Sequence, residues 1–310
     1  MKIVVTGASG FIGKNFLLHA PKDWDIYGLY FSSTNFLDFL KTNDLENVKP
    51  IKADLSDYGE TQKLIDKLEG QVDTVLYLAA NSDPAVSVKN PSIDIKLNTS
   101  ALVNFFSNFK CNKVIFFSSG AVYDGLEGLV NPESKLNPLL PYSISKLASE
   151  QYIKYFAEKK QTIKSYFIVR FFGAFGPYEP ARKIYTKLIR QIYFEDKNEF
   201  TIKGNGENYI DAIYIDDAVQ GILSMINSQK KRRIIDFGTG NPIKINELVK
   251  RTAKVFGKED LKINYEGEVP EHIRFKILPG SFEKEFSFGR RVTLEEGIKR
   301  FAEFLKKDYL

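Results

Sequence analysis

Residues 2–6, K-I-V-V-T, run directly into Gly7-Ala8-Ser9-Gly10-Phe11-Ile12-Gly13, and this junction limits the fold more than any other stretch of the chain. A short run of β-branched apolar residues reads as a parallel strand buried on both faces. An apolar helical pattern over 11–19 follows at once. Gly7 permits a sharp turn after the strand. Gly10 lets the backbone come close to a phosphate, and Gly13 lets helix and strand pack tightly. The helix N-terminus then offers unpaired N–H groups and the positive end of its dipole, a setting that suits a pyrophosphate. The competing reading is a tight strand-to-helix turn that holds no ligand.

The pattern then alternates. Strands are expected at 25–31, 48–52, 72–79, 113–118 and 165–172, with helices at 57–68, at 91–109 and around Tyr142. Strand and helix in alternation predict an α/β chain built on a doubly wound parallel sheet. In such sheets ligands bind beyond the carboxyl ends of the strands. Gly7, Asp54, Ala79-Ala80 and Ser118-Ser119 all fall at those ends. After Gly176-Pro177 the elements become short and irregular. The expected division is a first domain over 1–176 and a smaller mixed α/β lobe over 177–310, with the chain crossing back to the first around 205–240.

Composition excludes several classes. The 310 residues carry a formal net charge of +5, but the basic residues are dispersed, and Lys230-Lys231-Arg232-Arg233 reads as a solvated loop. No nucleic-acid partner is expected. The single cysteine, Cys111, rules out an internal disulfide framework and suggests a reducing compartment. Two histidines and one cysteine make an ordinary transition-metal site an unlikely design, so no metal is expected. No apolar stretch reaches membrane-spanning length, and the strand at residue 2 leaves no room for a signal peptide. A cytoplasmic protein with no membrane partner is the expectation.

Tyr142 and Lys146 lie four residues apart in P-Y-S-I-S-K-L-A-S-E-Q, a helix-compatible stretch, and so share one helical face. A neighbouring ammonium favours the phenolate, which is expected to bring the tyrosine toward physiological pH. A tyrosine so tuned can give or take the proton of a hydroxyl or carbonyl. The plain alternative is a solvated helix face.

Further segments join these two. They are T-G-A-S-G-F-I-G at 6–13, A-D-L-S-D at 53–57, Y-L-A-A at 77–80, V-S-V-K-N-P at 86–91, Asn98 and F-F-S-S-G-A-V-Y at 116–123. After P-Y-S-I-S-K at 141–146 come G-N-G-E at 204–207, I-Y-I-D-D-A at 213–218, F-G-T-G at 237–240 and L-E-E-G-I at 294–298. In this order the sequence resembles the extended short-chain dehydrogenase/reductases that modify nucleotide sugars. The resemblance implies a dinucleotide-binding (Rossmann) domain over 1–176 and a mainly substrate-binding lobe over 177–310. It also implies NAD(P)-dependent chemistry on a nucleotide sugar. Tyr142 would be the acid/base, Lys146 would bind the nicotinamide ribose, and Ser119, with Ser118 as the neighbouring alternative, would hydrogen-bond the reacting sugar oxygen. The glycine loop (Gly7, Ser9, Gly10, Phe11, Ile12 and Gly13) would hold the diphosphate. Asp54 and Leu55 would contact adenine, Ala79 and Ala80 would line the cofactor, and Asn98 would support the site.

Departures from the family narrow the reaction. Gly120 and Ala121 stand where 4,6-dehydratases carry an acidic pair, and Ala121 stands where 3,5-epimerising members carry a cysteine. Dehydration and 3,5-epimerisation are therefore disfavoured. The end of the second strand, L-Y-F-S-S-T-N-F at 29–36, lacks the usual carboxylate. Ser32 and Ser33 can hydrogen-bond a 2′-phosphate, though Phe31 occupies the place of an expected arginine. The reading favours NADP(H) over NAD(H) and, with it, a 4-keto-sugar reductase. A nucleotide-sugar 4-epimerase is the alternative, and a cofactor-binding protein without activity is the alternative of another class. Gly173 replaces an asparagine that contacts the substrate diphosphate, and Ile210 replaces an arginine. Arg182, Lys183 and Arg274 are candidates to supply the lost charge. Apolar stripes on the helices 98–109 (Ala101, Leu102, Phe105, Phe106, Phe109) and around Tyr142 (Leu147, Tyr152, Phe156) suggest a homodimer built on a four-helix bundle.

Overall fold

The computed structural model describes residues 1–68, 72–269 and 273–308. The chain divides into two compact units. The first comprises Met1–Asp124, Lys135–Phe171 and Ile222–Phe237, and the second Gly125–Ser134, Phe172–Gly221 and Gly238–Leu310. The division is not a single cut, because the chain leaves the first unit and returns to it twice.

The first unit is built on seven parallel strands: β1 (Lys2–Thr6), β2 (Asp25–Tyr30), β3 (Val48–Lys52), β4 (Val72–Tyr77), β5 (Cys111–Ser119), β6 (Ile163–Phe171) and β7 (Arg233–Phe237). Their order across the sheet is β7-β6-β5-β4-β1-β2-β3, so the winding reverses between β1 and β4. Such a switch point opens a crevice at the carboxyl ends of its two strands. Thr6 lies opposite Tyr77 there, and Gly7 follows with φ +67°. A Cβ on Gly7 would meet the Ala79 backbone nitrogen at 3.0 Å. Only glycine serves both demands.

The helices of this unit are α1 (Phe11–His19), α2 (Phe36–Thr42), α3 (Tyr58–Lys67), α4 (Pro84–Lys89), α5 (Pro91–Asp94), α6 (Ala101–Asn108) and α7 (Pro141–Glu158). α3 starts where the sequence says it must, with Asp57 accepting from the Glu60 amide at 2.8 Å. The continuous helix expected over 91–109 is interrupted. Between α5 and α6 the residues Ile95–Ser100 form a π-helical turn, which rotates the faces of the two halves relative to an unbroken α-helix. Leu102, Phe105 and Phe106 then pack with Val75, Val114 and Phe116 in the core. Ala101 and Phe109 are buried with them, so this whole stripe belongs to the protein's own core instead of an open dimer face. Cys111 is also buried, and burial pushes its thiol up, which favours the unreactive protonated form.

β5 is longer than expected at both flanks, and β6 starts two residues earlier and ends one earlier than expected, with Cys111 paired to Ile163 and Ser119 to Phe171. β7 is the strand that local pattern hides. It begins inside the basic run, at exposed Arg233, and pairs with β6 from Arg233 opposite Phe167 to Phe237 opposite Phe171. Residues Lys230, Lys231 and Arg232 are solvated, as their composition suggests.

The second unit is mixed α/β in small pieces. Ala174–Phe175 runs parallel to Ile213–Tyr214, Glu199–Lys203 to Lys262–Glu266, and Glu127–Leu129 to Arg274–Lys276, while Tyr209–Ile210 runs antiparallel to Ile243–Lys244. Helices Ile245–Val255 and Leu294–Leu305 are linked by Arg251 to Glu295 at 2.8 Å. No helix of the described residues is long and apolar enough to cross a membrane.

Candidate active site

Helix α7 opens with Pro141 at its first position, where a missing N–H costs no hydrogen bond. Tyr142 and Lys146 then follow one turn apart on it. The Lys146 side chain is buried, at 3 % exposure. Its ammonium donates to the Phe117 carbonyl of β5 at 2.5 Å and lies 4.6 Å from the centre of the Phe116 ring. Burial draws its pKa down to about 8, against the charges of Glu150 and Asp94, which push it up.

The Tyr142 hydroxyl behaves differently from expectation. Burial pushes its pKa up, the Ser119 hydroxyl pulls it back, and the charge of Asp94 pushes it up again. Lys146, expected to lower it, makes no resolved contribution. Lys146 gives up its proton near pH 8, below the range in which Tyr142 ionises, and so carries no charge then to stabilise the phenolate. In the protein by itself, Ser119 is the group that favours the phenolate.

The two serines at the end of β5 separate cleanly. Ser118 is buried and donates to Glu150 at 2.6 Å. Ser119 is partly exposed, and its oxygen accepts from the Ala121 amide at 3.1 Å, capping the short 3₁₀ turn Gly120–Tyr123. Its hydroxyl also hydrogen-bonds that of Tyr142. Of the pair, Ser119 is the one that is partly exposed and in contact with Tyr142.

Behind these groups lies a buried network that the motifs did not announce. Glu150 takes a bidentate pair from Arg170, at 3.2 Å from Nε and 2.9 Å from Nη2. Both side chains are almost wholly buried. Arg170 also donates to the Tyr123 hydroxyl at 2.9 Å, and Tyr123 donates to Asp236 of β7 at 2.8 Å. One signal was legible: Glu150 stands four residues after Lys146, which places it on the same face of α7. Nothing local pointed to Arg170 or Asp236 as its company.

Asn98 is buried at 2 % exposure and engaged on both sides. It accepts from the Asn81 amide at 2.7 Å and donates to Ser145 of α7 at 2.9 Å and to Asp94 at 3.3 Å. Its amide therefore ties the π-helical turn to the start of α7.

The glycine loop fits a dinucleotide. A Cβ on Gly13 would fall 2.5 Å from the Gly7 carbonyl oxygen, whereas on Gly10 it would meet only that oxygen, at 3.2 Å. Gly10 is exposed, and no side chain caps α1 there. Ser9, Phe11 and Ile12 are partly exposed around it. Asp54 is fixed by Ser56, whose amide and hydroxyl donate at 2.9 and 2.6 Å, and Leu55 lies buried beside it. Ala79 and Ala80 are partly exposed at the end of β4. At the end of β2, Ser32 is exposed and Ser33 donates to Asn35 at 2.9 Å. Phe31 stands half exposed before them.

The remaining expected residues belong to the second unit. Gly173 has φ +147°, and a Cβ there would lie 3.3 Å from the Asp211 carbonyl oxygen, so an asparagine is poorly tolerated. Ile210 pairs with Ile243 in a strand. Arg182 is exposed. Arg274 is anchored through Nη1 to the carbonyls of Glu207 and Ile273 and to Asn208. No group of three or more histidine, cysteine or acidic side chains fit to hold a metal occurs among the described residues.

Comparison with known proteins agrees with this architecture. A putative UDP-glucose 4-epimerase of Methanocaldococcus jannaschii is 29 % identical over 99 % of this chain and 99 % of its own. The dTDP-D-glucose 4,6-dehydratase of Mus musculus is 25 % identical over 99 % of this chain and 89 % of its own. Among solved structures, the UDP-glucose 4-epimerase of Thermotoga maritima with UDP-glucose superposes at a TM-score of 0.86, with 25 % identity and all of both chains covered. Residues 3–238 match the model of the NAD dependent epimerase/dehydratase family. The chain is a member of that family, a nicotinamide-cofactor enzyme family whose relatives act on nucleotide sugars.

Proposed function

We propose that the protein is a nucleotide-sugar 4-epimerase that uses NAD(H). The observation that carries this reading is the arrangement at the end of β5: Ser119 beside Tyr142 and Lys146, followed by Gly120 and Ala121, which bear no carboxylate. A site with Tyr142 to handle the proton and no carboxylate at positions 120 and 121 suits oxidation and re-reduction at one carbon. It does not suit elimination of water, although a dehydratase is among the relatives.

The expectation of a reductase gives way to the epimerase. Support comes from the NAD-dependent family match and from the relatives named as UDP-glucose 4-epimerases at 29 and 25 % identity. The preference for NADP(H) falls with it. The end of β2 offers Ser32 and Ser33 but no cation of its own to hold a 2′-phosphate, because Phe31 stands in the arginine's place.

In this reading the phenolate of Tyr142 takes the proton of the sugar C4 hydroxyl while Ser119 donates to the same oxygen. Bound NAD supplies the acceptor for the C4 hydride and later its donor. Lys146 presents its remaining N–H groups to the cofactor ribose, with the Phe117 carbonyl fixing its direction. When the ketone is reduced on its other face, Tyr142 returns the proton. Arg274, held on one edge by Glu207, Asn208 and Ile273, is the candidate contact for the substrate diphosphate in place of Gly173 and Ile210. A homodimer remains part of the proposal, with exposed Ile95, Tyr152 and Tyr155 as its apolar contribution.

The test is incubation with UDP-glucose and, separately, with other UDP-sugars, followed by chromatography of the sugar nucleotides. The expected product is the C4 epimer, without net formation of NADH and without need for NADP. Tyr142→Phe is expected to lower the rate about 10²–10⁴-fold. Stoichiometric oxidation of NADPH by a 4-keto sugar, with no epimer formed, would sink the reading.

A further inference from the structure

Asp94 is an acid that neither the motifs nor the mechanism above uses. It ends α5 and is completely buried, at 0 % exposure. One carboxylate oxygen, Oδ1, accepts from Asn81 at 2.8 Å and from Asn98 at 3.3 Å. The other, Oδ2, is buried with no partner among the described residues. A buried carboxylate oxygen without a donor is costly, so its place needs a reason.

The surroundings supply one. Asn98 joins Asp94 to Ser145, and Ser145 donates to the Tyr142 carbonyl at 2.7 Å. The chain of hydrogen bonds thus ends on the turn of α7 that carries Tyr142 and Lys146. The charges that act on Tyr142 or Lys146 are Asp94 from α5 and Glu150 from α7, with Arg170 of β6 and, through it, Tyr123 of the 3₁₀ turn held against Glu150. Glu150 is already matched by Arg170 in a bidentate pair. Asp94 makes no ion pair among the described residues, and its charge acts on both Tyr142 and Lys146. Loss of Oδ2's negative charge would leave a buried ammonium with less to hold it.

We propose that Asp94 is a positioning residue that serves as the counter-charge of the Tyr142–Lys146 pair, favouring the ammonium on Lys146 and opposing a second negative charge on Tyr142. Its consequence for catalysis rests on the epimerase reading, but the charge relation itself does not. Removing the charge makes Lys146 give up its proton at lower pH and Tyr142 ionise at lower pH. Both limbs of a kcat/KM profile then move toward acid.

The deciding experiment needs no substrate. Lysine labelled with ¹³C at Cε is titrated by NMR in the full chain, the Lys146 signal being identified by its loss in Lys146→Met. In Asp94→Asn the Lys146 midpoint is expected below that of the unsubstituted protein. An unchanged midpoint in a folded variant would overturn the proposal. Should Asp94→Asn fail to fold, Asp94→Ser carries the same test. Failure of the sugar assay with a displaced midpoint would count against the epimerase alone.

Discussion

At the scale of single residues, Lys146 shows how a motif position and its environment differ in what they reveal. Its spacing from Tyr142 was legible, but its pKa of about 8 comes from burial that no local pattern displays. That burial has a pH signature. In the unfolded chain the lysine titrates near 10.5, and in the folded one near 8. Between those values the unfolded chain holds a proton that the folded one has released, so stability rises with pH across that window. Below pH 8 both states are protonated and the burial cost is fully present. Relative to Lys146→Met, the protein is expected to gain about 3 kcal/mol between pH 8 and 10.5. Urea unfolding of both forms at pH 7.5, 9 and 10.5 measures it, and parallel curves would refute the burial argument.

Elements show what periodicity can and cannot carry. The strand–glycine–helix opening, the N-cap at Asp57 and helix α7 were readable because the signals are local: β-branched runs, a capping side chain, a proline at a first turn. The π-helical turn at Ile95–Ser100 was not, since it inserts one residue's worth of rotation without changing composition. Element ends also depend on distant partners. The helix Ile215–Asn227 terminates against Lys113 of β5, whose ammonium donates to the carbonyls of Met225, Ile226 and Ser228 at 3.3, 2.6 and 2.7 Å. A cation at those carbonyls also meets the negative end of the helix dipole. Lys113→Ala is expected to cost about 1–2 kcal/mol in urea unfolding, and Lys113→Arg less. Equal losses in both would point to packing of the lysine stem instead.

The whole molecule is where β7 becomes intelligible. Its five residues begin within a basic run and carry no alternation, yet they complete the sheet beside β6. They also deliver Asp236 to Tyr123 and, through it, to Arg170 and Glu150. Four separated segments therefore share one buried polar network. Breaking a buried ion pair strands a charge, so Arg170→Ala is expected to cost about 3–5 kcal/mol. Replacing both partners, as in Glu150→Leu with Arg170→Met, should recover a large part of that loss. Differential scanning calorimetry of the single and double variants checks it, and additive losses would show that the pair is not the source.

The sequence alone determined the family chemistry: a glycine-rich turn from strand to helix, a tyrosine and lysine on one helical face, and a serine at the end of a strand. Each depends on residue type at short spacing, which the chain displays directly. Tertiary structure decided which serine meets Tyr142, and that the charges of Glu150 and Asp94 act on Lys146. Those are properties of burial and of charge between segments far apart in sequence. Their energies are set by water excluded and partners met, and neither exists until the sheet has closed around them.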